Sequence, residues 1–294
     1  MLEDIIRTNC PSLAPLPTDV EPQLNRLDSV KAVLFDVYGT LFVSGSGDVG
    51  TAAATNTAEA LTRSLMASGF SGDLEQAGRT GTEMLTAEIL AGHKAGRETG
   101  LDFPEVEITG IWKKILDALL KAGILAASGK EHDRVLRLAL EYECRVNPVY
   151  PMPESFESIR RIRECGCALG IVSNAQFYTP LLFTAFFDQS VEETGFDPDC
   201  CIWSYKELEA KPSAALFPKA GRVLRDKYDI GLEETAYVGN DMLNDVYCAK
   251  KAGCKTILFA GDQRSLRMRE KDERCLAIKP DAVITSLAQL PELF

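Results

Sequence analysis

Hydrophobic positions along this chain follow two regimes. Around residues 31–40, and again beyond Pro148, short apolar runs of strand length alternate with segments of helical spacing, whereas from Thr51 to about Cys144 only helical spacing occurs. The runs Lys31 to Phe35, Cys167 to Asn174, Asp199 to Ser204, Thr235 to Asn240, Thr256 to Ala260 and Asp281 to Ile284 predict strands buried on both faces. Between them, Ser155 to Cys165, Leu181 to Phe187, Pro212 to Asp226 and Asp245 to Ala252 predict helices; Ile159 and Ile162 face inward in the first, and Leu216, Ala220, Val223 and Leu224 in the third. Strands that alternate with helices in this way predict an α/β fold, a doubly wound parallel sheet.

The middle segment predicts four helices. Their apolar faces are marked by Leu61, Leu65 and Met66; by Leu74, Ala77, Met84, Leu85 and Ile89; by Ile111, Trp112, Ile115, Leu116 and Leu119; and by Val135, Leu136, Leu138, Ala139 and Tyr142. The breaks carry Gly69 and Gly72, then Gly96, Gly100 and Pro104, then Gly123, Ser128 and Gly129. A parallel crossover needs only about a dozen residues, so this excursion is an inserted all-helical domain. Residues 26–44 and 147–294 then form the core, and 45–146 the insert. Leu41 to Gly50 is rich in Gly and Ser and reads as a flap, with Gly45 to Gly50 a hinge for its closure. Residues 1–25 hold Pro11, Pro15, Pro17 and Pro22 and read as an extended or partly disordered surface arm.

Composition narrows the partners. A hydrophobic content of 46% supports a core without staples, and a formal charge of −11 argues against nucleic acid or an anionic membrane. No segment approaches the roughly 18 uninterrupted apolar residues of a membrane span, and the N-terminal M-L-E-D-I-I-R-T-N lacks a secretory pattern. Nine cysteines, an odd number without a C-x-x-C pair, and only two histidines read as small fillers in a reducing cytoplasm rather than as a zinc site. No pattern in the chain specifies an oligomeric state.

Candidate chemistry sits at the ends of four strands. Asp36 and Thr40 follow the first, Ser173 and Asn174 end the second, Lys211 follows the third in E-A-K-P-S, and Asp241 and Asp245 follow the fourth in V-G-N-D-M-L-N-D. In open α/β sheets ligands bind outside the carboxyl ends of the strands. A carboxylate there is a ready nucleophile, and attack on an anionic phosphoryl group needs the mutual repulsion offset by a cation. Magnesium held by Asp36, the Tyr38 carbonyl, Asp241 and Asp245 would supply it, with Thr40, Ser173, the Asn174 backbone amide and Lys211 on the remaining oxygens. Each element also has a plainer explanation: Asp36 as a turn cap, Ser173 and Asn174 as turn formers, Lys211 as a solvated side chain. The acidic pair is harder to explain so, because two acids one helical turn apart repel unless a cation is near.

The four motifs, D-V-Y-G-T-L, I-V-S-N, A-K-P-S and V-G-N-D-M-L-N-D, resemble in kind and order those of the haloacid dehalogenase-like hydrolase superfamily. The resemblance implies a Rossmann-like core with a cap domain and an aspartyl-enzyme intermediate at Asp36. It also implies magnesium-dependent hydrolysis of a small phosphorylated metabolite in the cytoplasm, with Asp36, Tyr38 and Lys211 at the reacting centre. One position departs: phosphatase members carry an aspartate two residues after the nucleophile as general acid, where this chain has Tyr38. Metal-independent 2-haloacid dehalogenases of the same superfamily have tyrosine there, so dehalogenation is the alternative reading. A catalytically weak ligand- or partner-binding protein is a third. Arg63, Arg79, Lys94, Arg97, Lys113, Lys114 and His93 are the insert's candidate substrate contacts, each also explicable as solvated surface.

Overall fold

Asp36 ends the strand on which the sheet is centred. The computed structural model describes residues 1–46, 57–127 and 131–294. In chain order its elements begin with helix α1 (Leu2–Asn9), strand β1 (Ala32–Phe35) and strand β2 (Phe42–Ser44). The insert follows as α2 (Thr57–Ala67), β3 (Phe70–Gly72), α3 (Leu74–Glu98), α4 (Ile108–Lys121), β4 (Leu125–Ala127) and α5 (Glu131–Val146). The core resumes with β5 (Val149–Pro151), α6 (Ser155–Glu164), β6 (Ala168–Ser173), α7 (Leu181–Phe187), α8 (Val191–Thr194), β7 (Cys201–Trp203) and α9 (Ser204–Glu207). It closes with α10 (Leu216–Tyr228), β8 (Thr235–Gly239), α11 (Cys248–Ala252), β9 (Lys255–Phe259), α12 (Glu273–Leu276) and β10 (Ala282–Ile284).

Six strands form one parallel sheet in the order β10-β9-β8-β1-β6-β7. The chain runs outward from β1 to β6 and β7, then returns to the other side of β1 at β8. The order reverses at β1, the place where such sheets open a crevice. All four residues of β1 are fully buried, and apolar side chains pack on both sheet faces, Val33 and Phe35 into one cluster and Ala32 and Leu34 into another. That two-sided burial explains the uninterrupted apolar run in the sequence.

The insert has its own apolar centre, in which Trp112 packs edge-on against Tyr142 with ring centroids 5.1 Å apart. Four helices build it, as the spacing predicts, but Met66 is exposed and a two-stranded ribbon, β3 with β4, bridges the breaks at Gly72 and Gly123. Gly96 lies inside α3 rather than at a break.

Two expectations need correction. The segment after the first strand is not simply a flap: β2 pairs antiparallel with β5, and Phe42 packs among Phe183, Phe186 and Phe187, so both chain crossings into the insert are fastened to the core. Residues 47–50 of the predicted hinge, and the predicted break at Ser128 and Gly129, lie outside the described residues. The N-terminal arm begins as helix α1, whose Ile5 and Ile6 are buried, and its extended part is bonded along the sheet edge, Gln23 to Val283 and Leu16 to Gln263. Eight of the nine cysteines are buried and unpaired by disulfide; Cys165 is exposed. Among the described residues no helix is long and apolar enough to cross a membrane.

Candidate active site

The turn after β1 exists because of one glycine. Gly39 has φ +77°, and a Cβ built there meets Ser265 Cβ at 2.5 Å and Asn240 Nδ2 at 2.7 Å. The left-handed backbone and the missing side chain let residues 36–40 curl under the loops that follow β8 and β9. Thr40 donates to Asn240 Oδ1 (3.0 Å), and Asn240 donates to the Ser265 carbonyl (2.6 Å). Gly39→Ala is expected to cost about 2 kcal/mol or more from left-handed strain and overlap. The loss should appear as a lower melting temperature, together with lower turnover, since Asp36 rides on this turn.

Lys211 is the hub. Its Nζ donates to Asp36 Oδ1 (2.8 Å), Asp245 Oδ1 (2.6 Å) and Tyr237 Oη (2.8 Å), which uses all three of its donors in a buried setting. Tyr237 Oη in turn donates to the Val172 carbonyl (2.7 Å). Burial alone would lower the lysine's pKa, but Asp245 and Asp36 outweigh it and hold it raised, so the ammonium persists. Asn174 fixes the lysine from behind: its Nδ2 donates to the Lys211 carbonyl (3.1 Å) and its Oδ1 accepts from the Lys211 amide (2.7 Å).

The late acids are also engaged. Asp245 Oδ2 accepts the backbone N–H groups of Asn240 and Asp241, both at 2.9 Å. Its pKa is pushed up to about 7, chiefly by burial, with Lys211 opposing and Asp36 and Asp241 adding. Asp241 caps the following turn, accepting from Leu243 N (2.8 Å), and is clasped by Arg269, Nε to Oδ1 at 3.0 Å and Nη2 to Oδ2 at 2.5 Å. Asp36 Oδ2 accepts no hydrogen bond from the described residues.

Magnesium asks for several oxygen ligands in near-octahedral array. Asp245 has both oxygens saturated, and Asp241 gives both of its own to a guanidinium. Among the described residues no group of three or more His, Cys, Asp or Glu side chains is placed to share an ion. This donor set does not fit the magnesium site expected at Asp36, the Tyr38 carbonyl, Asp241 and Asp245. The charge argument behind that expectation is met otherwise, because Lys211 and Arg269 supply the positive charge.

Asp36, Tyr38, Asn174 and Lys211 line a cavity of about 500 Å³ that the insert roofs with Leu85, Ile89 and His93, while Asp241 and Asp245 lie on its floor. Thr40 and Ser173 are buried beside it rather than on its wall, and the Ser173 hydroxyl contacts the Asn174 carbonyl (3.3 Å). The Tyr38 hydroxyl bonds Thr179 Oγ1 (2.9 Å), and burial raises its pKa far above the ordinary value, Glu143 adding to the effect. Tyr38 is thus a neutral wall and not an acid. Of the insert's cations, Arg63, Arg79 and Lys114 pair with surface acids and none of the six lines the cavity; His93 does.

Four contributors escape sequence reasoning. Arg269 and Ser265 come from the charged segment after β9; Tyr237 hides in an apolar strand, where only its need for a buried partner marks it. Glu143, on the last turn of α5, also lines the cavity. Its neighbour Asn147 accepts from the Ser44 hydroxyl (2.7 Å) at the junction of core and insert. The insert's rim is pinned at Gln176, which donates to the Val106 carbonyl (2.7 Å) and accepts from Ile108 N (3.1 Å).

A family model described as HAD-hydrolase-like matches residues 209–290. Among solved structures, the chain is similar to a 2-haloacid dehalogenase from Pseudomonas syringae, with 22% identity over 90% of this chain and 97% of that one and a TM-score of 0.52. It is also similar to a HAD phosphatase from Thermococcus onnurineus, with 18% identity over 90% and 97% and a TM-score of 0.50. No curated protein matches the chain.

Proposed function

From its place in the haloacid dehalogenase-like hydrolase superfamily, to which this chain belongs, we propose that it is a metal-independent hydrolase working through a covalent ester at Asp36, with dehalogenation of a small 2-halo acid as the model reaction. The observation that carries the reading is the neutralisation of all three site carboxylates by side-chain cations, Lys211 on Asp36 and Asp245 and Arg269 on Asp241. A nucleophile so arranged needs no ion to hold it.

In this mechanism Asp36 Oδ2, the oxygen that Lys211 does not bind, attacks the substrate carbon in line with the departing group. Lys211 and its partner Asp245 fix the carboxylate's orientation through Oδ1, which is worth much of the barrier when the reacting atoms are held close. The apolar roof excludes bulk water during this step. Water then cleaves the ester at the Asp36 carboxyl carbon and restores the enzyme. Tyr38, a buried phenol with a raised pKa, is not the group that protonates the leaving group.

The phosphatase reading expected from the motifs requires Arg269 to release Asp241 before a cation is held. The test is halide release from 2-chloropropionate and 2-bromopropionate in EDTA, beside p-nitrophenyl phosphate with magnesium. Halide release unaffected by EDTA is the expected result. Magnesium-dependent phosphatase activity without halide release would replace this reading, and silence in both assays from folded protein would favour the binding-protein reading.

A further inference from the structure

The wall of the cavity next to the nucleophile's turn holds an acid that the motifs leave without a role. Glu143 lies one turn before Asn147, at the root of the insert, and lines the same cavity as Asp36 and Tyr38. It accepts a long hydrogen bond from Asn147 Nδ2 (3.4 Å), and the buried phenol of Tyr178 lies beside it. Among the described residues no cation pairs with it. The groups facing it are Tyr142 and Cys144 on its own helix, Cys10 from α1, Tyr38 from the turn after β1 and Tyr178 from the loop after β6. The nearby Glu141 is taken by Arg137 and Arg145. Burial raises the Glu143 pKa against the opposing pull of Tyr178 and Asn147, and the same surroundings raise Tyr178 and push Tyr142 up to about 12.

An ionised carboxylate without a cation is costly in such a place, whereas a carboxylic acid there has a proton to give. Tyr38 cannot give one. We propose that Glu143, contributed by the insert, is the proton carrier of this active site, and that the site is matched to leaving groups that depart poorly as bare anions, fluoride or an alkoxide rather than bromide. The inference rests on Asp36 as nucleophile and names the leaving group that nucleophile displaces.

The steps balance. Asp36 Oδ2 forms the bond to carbon, the carbon–leaving-group bond breaks with its electron pair on the leaving group, and that group takes the Glu143 proton. Glu143, now a carboxylate, takes a proton back from the water that adds to the Asp36 ester carbon. Collapse releases the alcohol and the Asp36 carboxylate. The sum is one substrate and one water giving one alcohol and one protonated leaving group.

The experiment compares wild type with Glu143→Gln, enzyme in excess, on 2-fluoropropionate and 2-bromopropionate, so that halide release reports only the first displacement. Fluoride release is expected to slow by about 10²-fold or more while bromide release changes by less than about threefold. The ester should then accumulate on the variant as a mass increase. Equal slowing of both halides, or of neither, would overturn the proposal. Glutamine keeps the size of the side chain, and Glu143→Asp is a second variant, expected to regain part of the fluoride rate. A readout free of substrate is the carboxyl stretch of Glu143 in the infrared difference between wild type and Glu143→Gln: it should show the protonated acid at pH 7, and titration in the ordinary carboxylate range would sink the idea. If wild type releases neither halide, the dehalogenation reading falls, and the infrared titration still decides for or against Glu143.

Discussion

Asp36→Asn is expected to lower hydrolysis by about 10⁴-fold or more, the scale on which removal of a covalent nucleophile acts, while leaving the fold intact. Asparagine is the same size, keeps an oxygen for Lys211 Nζ to donate to, and leaves that lysine its second anion at Asp245. A small stability change with a large rate change separates a nucleophile from a structural acid. The sharper measurement is isotopic. A single turnover of wild type in ¹⁸O-water should place the label in the Asp36 carboxylate and none in the product alcohol, because water attacks the enzyme ester rather than the substrate. Labelled product from the first turnover would mean direct attack by water, and Asp36 would lose the role of nucleophile.

The core was legible because parallel strands buried on both faces must be apolar throughout, and the six runs from Ala32 to Ile284 have that signature. The four helices of the insert were legible for the same kind of reason, a 3.6-residue stripe packed on Trp112 and its neighbours. What escaped depends on partners distant in sequence. The pairing of β2 with β5 joins segments more than a hundred residues apart, and neither three-residue strand carries an alternation of its own. Helix α1 is eight residues long and is held by burial of Ile5 and Ile6, which local propensity does not announce.

The candidate site was legible in its members and misread in its wiring. Asp36, Lys211, Asp241 and Asp245 do converge, and the inference that three neighbouring acids need positive charge was sound physics. It could not say which positive charge. Arg269 sits in a charged segment whose sequence resembles any solvated linker, and only the parallel bridge between Asp241 and Arg267 brings it under the carboxylate. Lys211 was assigned to a phosphate, yet its three donors are all spent within the protein. Asn174, whose backbone amide was expected to hold substrate, has a second role that the sequence does not show: its side chain binds the main chain of Lys211 and so positions the lysine.

The same wiring makes Lys211→Met the most damaging change to stability. Methionine fills the volume but leaves Asp36 and Asp245 buried beside one another without their shared cation. Removing one member of a buried ion pair costs about 3–5 kcal/mol, on the order of 10 °C in melting temperature for a domain of this size. Reversing the repulsion should reverse much of the loss, so Lys211→Met with Asp245→Asn is expected to melt well above Lys211→Met alone. Additive losses in the double variant would mean that the lysine stabilises by something other than these acids. The pH dependence carries a definite sign. Asp245 is raised in the folded protein from an ordinary 3.8 to about 7, so the folded state holds its proton more tightly than the unfolded chain does, and its contribution to stability declines as pH rises across that window. Lys211 pulls this value down, so without it the window reaches to higher pH and the total decline is larger. Lys211 itself stays charged throughout, its raised pKa placing its own loss above the ordinary 10.5. The melting-temperature deficit of Lys211→Met relative to wild type is therefore expected to be smaller at pH 5 than at pH 8. A deficit that is constant or larger at pH 5 would show that Asp245 does not titrate under the control of this lysine.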